Sequence, residues 1–291
     1  MVSSERVALN PVDRLLGLYL TFLTLVIVAR GGVGGATGWL LAAHALFGIL
    51  LILFTRLQPS ARAGRVLHDL YPLILVIGLY AEIGILNATV DPSSILAADH
   101  RLQGWEEALF GTQLSYEWIR RAPSVFWSTT LHLAYMGYFP IVAIGPLLLA
   151  VRGQREQVRW VLLVTMVAYV MCYTVFALWP VGGPNYAFPH PTGPVRDVWS
   201  ARATYGVLAQ GSSFGAAFPS SHVAAAVAAV AALWRFWRPL ALLLVIPATL
   251  LVIATVYCQM HYAVDVVAGL AVAVAALAIG WRVPVTQPIT A

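Results

Sequence analysis

The sequence contains no lysine and few charged residues of either sign. Only 10% of its 291 residues are charged, and all 17 basic residues are arginine. A soluble globular protein carries about 25% charged residues, whereas 60% of this chain is hydrophobic. The composition excludes an ordinary soluble domain and predicts an integral membrane protein. The net charge of +5 does not indicate nucleic-acid binding, because the arginines stand in short loops between apolar runs.

Cysteine is also scarce, with only Cys172 and Cys258, each in or beside an apolar run. Two such residues offer neither a disulfide framework nor metal-ligand spacing, so we predict two small buried side chains. No carboxylate cluster suits Mg²⁺, and we expect no metal and no other cofactor. The first apolar run is long enough to be a membrane span rather than the core of a cleavable signal peptide.

Apolar runs of roughly 20 residues, the length that crosses a bilayer, recur along the chain and predict an all-α polytopic membrane helix bundle. We predict eight spans, the sixth of them short. Two other segments are not spans: 90–126 is polar and amphipathic, and 180–218 is rich in glycine and proline. The predicted spans lie at about 14–30, 37–55, 69–89, 127–150, 160–179, 220–236, 239–258 and 261–281.

The arginines predict the topology. With the N-terminus inside, most of them, Arg6 included, fall in the inner segments, and fewer are spread over the longer outer loops. The positive-inside rule therefore predicts that both termini are cytoplasmic. Segments 90–126 and 180–218 then lie at the outer face, which is periplasmic, extracellular or lumenal.

Two histidines stand where predicted spans begin at that outer face. His222 follows FPSS at the start of the sixth span, and His261 opens the eighth span in HYAVD. The chain between them forms a hairpin of two spans, which should return both imidazoles to the same depth. Helical spacing places Asp265 one turn beyond His261 on the same face, and an ionisable residue inside an apolar span by default marks a site.

Two imidazoles and a buried carboxylate at one depth can act together as a nucleophile, an acid and an orienting group. A carboxylate on one ring nitrogen fixes the tautomer, so that the other nitrogen can attack, and the second histidine can protonate a leaving oxygen. The start of the sixth span offers free N–H groups to an anion such as phosphate, with Ser220 and Ser221 as caps or hydroxyl donors. Each residue alone is ordinarily structural, but the combination favours a catalytic site.

The stretches FPSSH (218–222) and HYAVD (261–265) resemble the second and third signature motifs of the type 2 phosphatidic acid phosphatase superfamily. The family pattern is K-x6-R-P, then P-S-G-H, then S-R-x5-H-x3-D, carried by membrane members on a six-helix core. The resemblance covers about 127–281. It implies a catalytic core over 127–291, preceded over 1–126 by N-terminal spans and the outer amphipathic segment. It also implies that His261 forms a phospho-histidine, that Asp265 orients it, and that His222 protonates the leaving alcohol.

The sequence departs from this pattern in three places. Ser221 replaces the glycine of P-S-G-H, and Ala254 and Thr255 stand where the family has S-R. A chain without lysine has no K-x6-R-P, and LWPVGGPNY (178–186) stands in its place. These losses resemble the branch of inositol phosphorylceramide and sphingomyelin synthases. That branch keeps the His-His-Asp triad and moves a phospho-headgroup from a glycerophospholipid to a lipid alcohol.

Because the family's phosphate-binding arginine is missing, other residues must neutralise the charge of the phosphate. The outer candidates are Arg196, Arg202, Arg120 and Arg121, although for each of them snorkelling to the headgroup level is the commoner role. His132, in the outer part of the fourth span, is a candidate for contact with the substrate or its phosphate.

Four further polar residues have both structural and functional interpretations. Asn185 and Tyr186 are candidates for the headgroup pocket, although the turn chemistry of a Gly-Pro loop explains their segment without a function. Glu82, near the outer end of the third span, is either a site residue or a residue packed against a polar neighbour. His44 lies mid-span with no evident partner, and we expect a hydrogen-bonded core histidine.

The residues, together with the resemblance, therefore favour an enzyme that breaks a lipid phosphoester through a phospho-histidine. Transfer to a lipid alcohol and hydrolysis by water, as in a lipid phosphate phosphatase, differ only in the acceptor. The departures from the family pattern favour transfer. A non-enzymatic transporter is the alternative from another class, but its polar residues would be expected across the bilayer, not at one face. The partners we expect are a phospholipid donor and a lipid alcohol or water, and no nucleic acid.

Overall fold

The structure, a computed structural model, describes residues 10–31, 35–57 and 59–285. Arg6 and the last residues of the predicted core, 286–291, lie outside the described residues. Across the described ranges the chain is all-α, as predicted, and its one β-type pairing is an isolated bridge between Val181 and Ala216. The helices are α1 Pro11–Gly31, α2 Gly35–Arg56, α3 Arg62–Asn87, α4 Pro92–Phe110, α5 Leu114–Arg121, α6 Val125–Met136, α7 Tyr138–Val151, α8 Arg155–Leu178, α9 Pro184–Ala187, α10 Pro194–Asp197, α11 Trp199–Gly211, α12 Ser221–Trp234, α13 Arg238–Tyr257 and α14 Ala263–Trp281.

Six of the described helices, α1, α2, α3, α8, α13 and α14, are long and apolar enough to cross a membrane. The predicted fourth span is divided into α6 and α7, which meet at 44° and would form a seventh span if the pair is taken as one. The break has a local cause, because Pro140 in the first turn of α7 has no N–H to donate back to α6. This set of helices is that of an integral membrane protein.

The predicted sixth span is α12, a helix of 14 residues. At 1.5 Å per residue it is about 21 Å long, shorter than a hydrocarbon core of about 30 Å. Pro219 lies just before it and Pro239 lies in the first turn of the next helix, so prolines limit it at both ends. α12 packs against α7, α8, α13 and α14, and nearly all of its alanines are buried. Its small side chains allow the close helix approach that such a central position needs.

The three N-terminal helices join the same hydrophobic core, since α1 and α3 pack against α8 and α2 packs against α1 and α3. Inside them, Nδ1 of His44 lies 2.8 Å from Oε1 of Glu82, and its Nε2 lies 2.9 Å from the carbonyl oxygen of Leu20. The prediction that His44 is a hydrogen-bonded core histidine is therefore confirmed, and Glu82 has the polar neighbour that one of its two interpretations required. The division of the chain at residue 126 stays a prediction.

The two segments without predicted spans gather at the end of the bundle where α12 and α14 begin. Segment 90–126 forms α4 and α5, and α4 packs against α14 and α9. Segment 180–218 contains α9, α10 and α11, and α11 packs along α6. The 13-residue helix α11 was not expected from the glycine and proline content. We refer below to this end of the molecule as the site end.

Candidate active site

The start of α12 is fixed by its cap and by α14. Ser220 is the N-cap, and its side-chain oxygen accepts a hydrogen bond from the N–H of Val223 at 3.3 Å. The backbone N–H of Ser220 donates to the carbonyl oxygen of Asp265 at 3.0 Å. A Cβ on Gly269 would lie 2.7 Å from the carbonyl oxygen of Ser220, so only glycine permits this approach. The first turn of α12, which carries Ser221 and His222, is thereby held against α14.

The start of α14 places the second histidine beside a carboxylate. His261 is 4% exposed and Asp265 is fully buried. Nδ1 of His261 lies 3.3 Å from Oδ2 of Asp265, and the same oxygen accepts the N–H of Tyr262 at 2.9 Å. The backbone N–H of His261 donates to the carbonyl oxygen of Thr255 at 2.8 Å. His261 is therefore anchored through both its ring and its main chain.

The two histidines are in direct contact across α12 and α14. Nε2 of His261 lies 3.3 Å from Nδ1 of His222. Because a carboxylate only accepts hydrogen bonds, we assign the proton of His261 to Nδ1, which leaves the Nε2 lone pair facing His222. Burial lowers the pKa of His261, which precedes the span α14, to about 4. At neutral pH its imidazole is uncharged, the form in which a nitrogen can act as a nucleophile.

Two tyrosines enclose His222, the half-buried member of this group. The ring of Tyr135 stacks on it at a centroid distance of 4.9 Å, and the ring of Tyr138 lies at 4.4 Å. The hydroxyl of Tyr138 donates in turn to that of Tyr169. Sequence reasoning did not identify either tyrosine, and since both lie on other elements than the motifs, only the three-dimensional packing identifies them.

Two of the candidate phosphate-binding residues, His132 and Arg196, lie near each other, and His132 is one helical turn from Tyr135. His132 is buried, with Nδ1 2.7 Å from the carbonyl oxygen of Ser128. Its ring centroid lies 6.0 Å from that of Tyr205, and the guanidinium of Arg196 lies 3.8 Å from the centre of the Tyr205 ring. Nε2 of His132 is buried without a hydrogen-bond partner among the described residues. The structure thus brings His132 and Arg196 into one cluster beside the histidine pair.

Other candidates lie further along the outer segments. Arg202 is exposed on α11. Tyr186 is half exposed, and its hydroxyl lies 2.5 Å from Oγ of Ser212. Asn185 accepts a hydrogen bond from a ring nitrogen of His190 through its backbone oxygen, at 3.0 Å. The contacts of Asn185 and Tyr186 lie within the outer loops. Among the described residues, no hydrogen bond or ion pair joins Arg202, Asn185 or Tyr186 to the two histidines.

Arg120 reaches the segment that precedes His261. Its guanidinium donates to Oε1 of Gln259 at 2.7 Å and to the carbonyl oxygen of Pro189 at 2.5 Å. Gln259 has a left-handed backbone with φ of 60°, a conformation that side-chain-bearing residues seldom adopt. Arg121 instead pairs with Glu117 at an exposed position. Of these two arginines, the structure connects Arg120 to the site.

Two buried carboxylates on α4, Asp99 and Glu106, were also missed. Both are less than 5% exposed, and both bind backbone N–H groups near the start of α14 or in the loop before α9. Burial raises the pKa of each carboxyl, opposed by those hydrogen bonds. Their spacing of seven residues puts them on one face of a helix, which was a readable signal in the sequence.

Comparison with known protein families covers the two histidines and Asp265. A family model described as the PAP2 superfamily matches residues 100–279, well over half of the chain. The matched range begins inside α4, ends inside α14 and contains both histidines and Asp265. No curated protein matches the chain, and no solved structure matches it.

Proposed function

Because the chain belongs to the PAP2 superfamily, we propose that it is a metal-independent lipid phosphotransferase of the inositol phosphorylceramide synthase-like branch. Family membership supports a lipid-related function of the phosphatase or phosphotransferase type. The observation that carries the finer proposal is the chain of contacts from Asp265 through His261 to His222, at 3.3 Å for each step. Such a chain joins an orienting carboxylate, a nucleophile and a proton donor in the order that the chemistry requires.

In the first step, Nε2 of His261 attacks the phosphorus of a phospholipid phosphodiester. The N–P bond forms as the bond from phosphorus to the oxygen of the lipid alcohol breaks. His222, protonated beside the anionic phosphate, gives its proton to that oxygen, and the neutral lipid alcohol leaves. His261 keeps the proton on Nδ1, so that the phosphorylated ring is cationic and Asp265 neutralises it.

In the second step, the hydroxyl group of a second lipid alcohol attacks the phosphorus. His222, now neutral, takes the hydroxyl proton, the O–P bond forms, and the N–P bond breaks to restore His261. Water in place of the alcohol would give hydrolysis. The replacement of the lysine-containing motif by LWPVGGPNY is the feature that favours an alcohol as the acceptor.

The phosphate oxygens require hydrogen-bond donors that are not already bound by other groups of the protein. At the start of α14 the N–H groups of Tyr262 and Ala263 are bound by Asp265 and Glu106. The first turn of α12, beginning with Ser221, therefore offers the helix N-terminus to the phosphate, with Ser220 as its cap. Arg196 and His132 form the flanking cluster, and we assign to it the polar headgroup, with Arg202, Asn185 and Tyr186 as outer candidates.

We propose that the site end lies at the outer face of the membrane, with both termini cytoplasmic. The distribution of arginines supports this orientation. The donor and the acceptor would then be lipids of the outer leaflet, and the substrate phosphate would lie at headgroup depth.

The test is a transfer assay in detergent micelles with labelled phosphatidylinositol, a ceramide or diacylglycerol acceptor, and a metal chelator. Wild type is compared with His261→Ala. Label that reaches the acceptor in wild type alone supports transfer. Release of free phosphate from a phosphomonoester in parallel tubes, with no transfer, makes the protein a phosphatase. If neither product forms, or if the variant equals wild type, the enzyme proposal fails and the transporter alternative takes its place.

A further inference from the structure

Asp99 receives hydrogen bonds from two parts of the chain that are remote in sequence. Its Oδ1 accepts from the N–H of Gly183 at 2.8 Å and from the hydroxyl of Tyr262 at 3.1 Å. Its Oδ2 accepts from the N–H of Gly182 at 3.2 Å. Asp99 is 4% exposed, so these hydrogen bonds are shielded from water. Each carboxylate oxygen accepts a hydrogen bond from one buried backbone N–H, which would otherwise be unpaired.

The loop that Asp99 holds is connected to the approach to His222. Val181 donates to the carbonyl oxygen of Gly215 at 3.2 Å and accepts from the N–H of Ala217 at 3.1 Å. Gly183 has φ of 90°, and a Cβ on it would lie 2.8 Å from Cβ of Ala217. Any displacement of the glycine pair is therefore passed directly to the residues that lead into FPSSH.

The other group held by Asp99 follows His261 directly. Tyr262 is fully buried, is the N-cap of α14 and shares the Asp265 carboxylate with His261. One residue further on, the N–H of Ala263 donates to Oε1 of Glu106 at 3.0 Å. Glu106 is thus a second attachment between α4 and the start of α14.

We propose that Asp99 is a positioning residue, whose carboxylate holds the segment before His222 and the residue after His261 in one frame and thereby sets the separation of the two imidazoles. This inference rests on the proposed function, since positioning is defined against the phosphoryl-transfer step. Errors of about 1 Å in the placement of reacting groups cost on the order of 100-fold in rate. A carboxylate is required because an amide would present its NH₂ to one of the two backbone N–H groups.

The test is the isosteric change Asp99→Asn, with Glu107→Gln as a matched control. Glu107 is exposed on the same helix, so the control also exchanges a carboxylate of α4 for an amide. Consumption of labelled phosphatidylinositol is followed in single turnover, with saturating enzyme in excess and the acceptor present. The amplitude then reports the fraction of active enzyme, and the rate constant reports the chemistry of the active molecules.

We expect a rate constant about 10- to 100-fold lower for Asp99→Asn, an amplitude within about twofold of wild type, and a control that equals wild type. An unchanged rate constant overturns the inference, whether or not the amplitude falls, because a lost amplitude alone denotes a structural role. A control that falls as far as Asp99→Asn overturns it as well.

Tyr262→Phe decides the matter if Asp99→Asn does not fold. This change removes one hydrogen bond to Asp99 and leaves the ring in place. A rate constant about threefold to tenfold lower, the value of one hydrogen bond, supports the inference, and an unchanged one overturns it. If wild type consumes no phosphatidylinositol, the proposed function itself fails and the inference fails with it. If wild type and the variants are equally active, only the inference fails.

Discussion

The change Asp265→Asn tests the electrostatics of the proposed phospho-histidine. Once Nε2 of His261 is phosphorylated and Nδ1 keeps its proton, the ring is cationic, with Nδ1 3.3 Å from Oδ2 of Asp265. Two unit charges at that distance attract by about 5 kcal/mol at an effective dielectric constant of about 20. The attraction is absent while the imidazole is neutral. It therefore stabilises the transition state over the free enzyme, which is the condition for catalysis.

Asparagine keeps the shape of this side chain and removes its charge. The amide oxygen can occupy the position of Oδ2, where it still accepts the N–H of Tyr262, so α14 keeps its cap. Part of the attraction survives as the amide dipole, which leaves a loss of about 4 kcal/mol. At 1.36 kcal/mol for each factor of ten, kcat/KM should fall roughly 1000-fold. The amide NH₂ takes the place of Oδ1, which has no hydrogen-bond partner in the described part of the chain, so one unpaired polar group replaces another.

The assay is transfer from phosphatidylinositol to the acceptor, with thermal unfolding in the same detergent as the check on folding. Asp13→Asn is the control, because Asp13 is a buried carboxylate on α1 that accepts a hydrogen bond from Tyr71. It should lose stability and keep its kcat/KM. A decrease of less than about tenfold for folded Asp265→Asn would refute the reasoning, since no cationic phospho-histidine would then depend on this carboxylate.

Three further predictions follow from particular contacts. Gly269→Ala should lower kcat, because the new Cβ would lie 2.7 Å from the carbonyl oxygen of Ser220, the N-cap of α12. The control Gly48→Ala, with open space around it, should have the kcat of wild type. Equal kcat values for the two variants would contradict this. Glu82→Ala should lower the free energy of unfolding by about 1–3 kcal/mol, measured by denaturation in detergent, because Nδ1 of His44 loses its buried hydrogen-bond partner; an unchanged unfolding midpoint would show that the pair contributes nothing. With a phosphodiester donor, which has no ionisation near pH 6, the acid limb of kcat/KM should lie near pH 4, because burial lowers the pKa of His261 and only the neutral imidazole attacks; a limb at about 6.5, the ordinary value for histidine, would show that burial does not lower the pKa of the attacking imidazole.

The local parts of this molecule were predictable from the sequence. Apolar run length predicted the helices, because a span has a fixed minimum length, and each predicted span corresponds to a helix or a bent pair. The hairpin between His222 and His261 predicted two imidazoles at one depth, and they lie 3.3 Å apart. The i to i+4 spacing likewise predicted the contact of Asp265 with His261. All of these depend on distances along the chain.

Long-range pairings were not predictable in this way. The partner of His44 is 38 residues away, and those of Asp99 are 83 to 163 residues away. Neither spacing nor composition specifies which buried donor meets which acceptor when several helices converge. The tyrosines around His222 belong to the same class, because they come from a separate pair of helices. What the sequence did contain was the heptad spacing of Asp99 and Glu106 in a segment otherwise interpreted only as amphipathic.

The contact between the two imidazoles also constrains how a substrate enters. Attack requires Nε2 of His261 about 3–3.5 Å from phosphorus, and proton transfer requires His222 about 2.6–3.2 Å from the leaving oxygen. Phosphorus and that oxygen cannot both fit between nitrogens 3.3 Å apart. His261 is held by Asp265 and by its own backbone, whereas His222 is half-buried and contacts the faces of two tyrosine rings. In the proposed mechanism, His222 would therefore be the ring that moves. The arriving phosphate would replace the contact between the two imidazoles, and its negative charge would favour protonation of His222, the proposed acid.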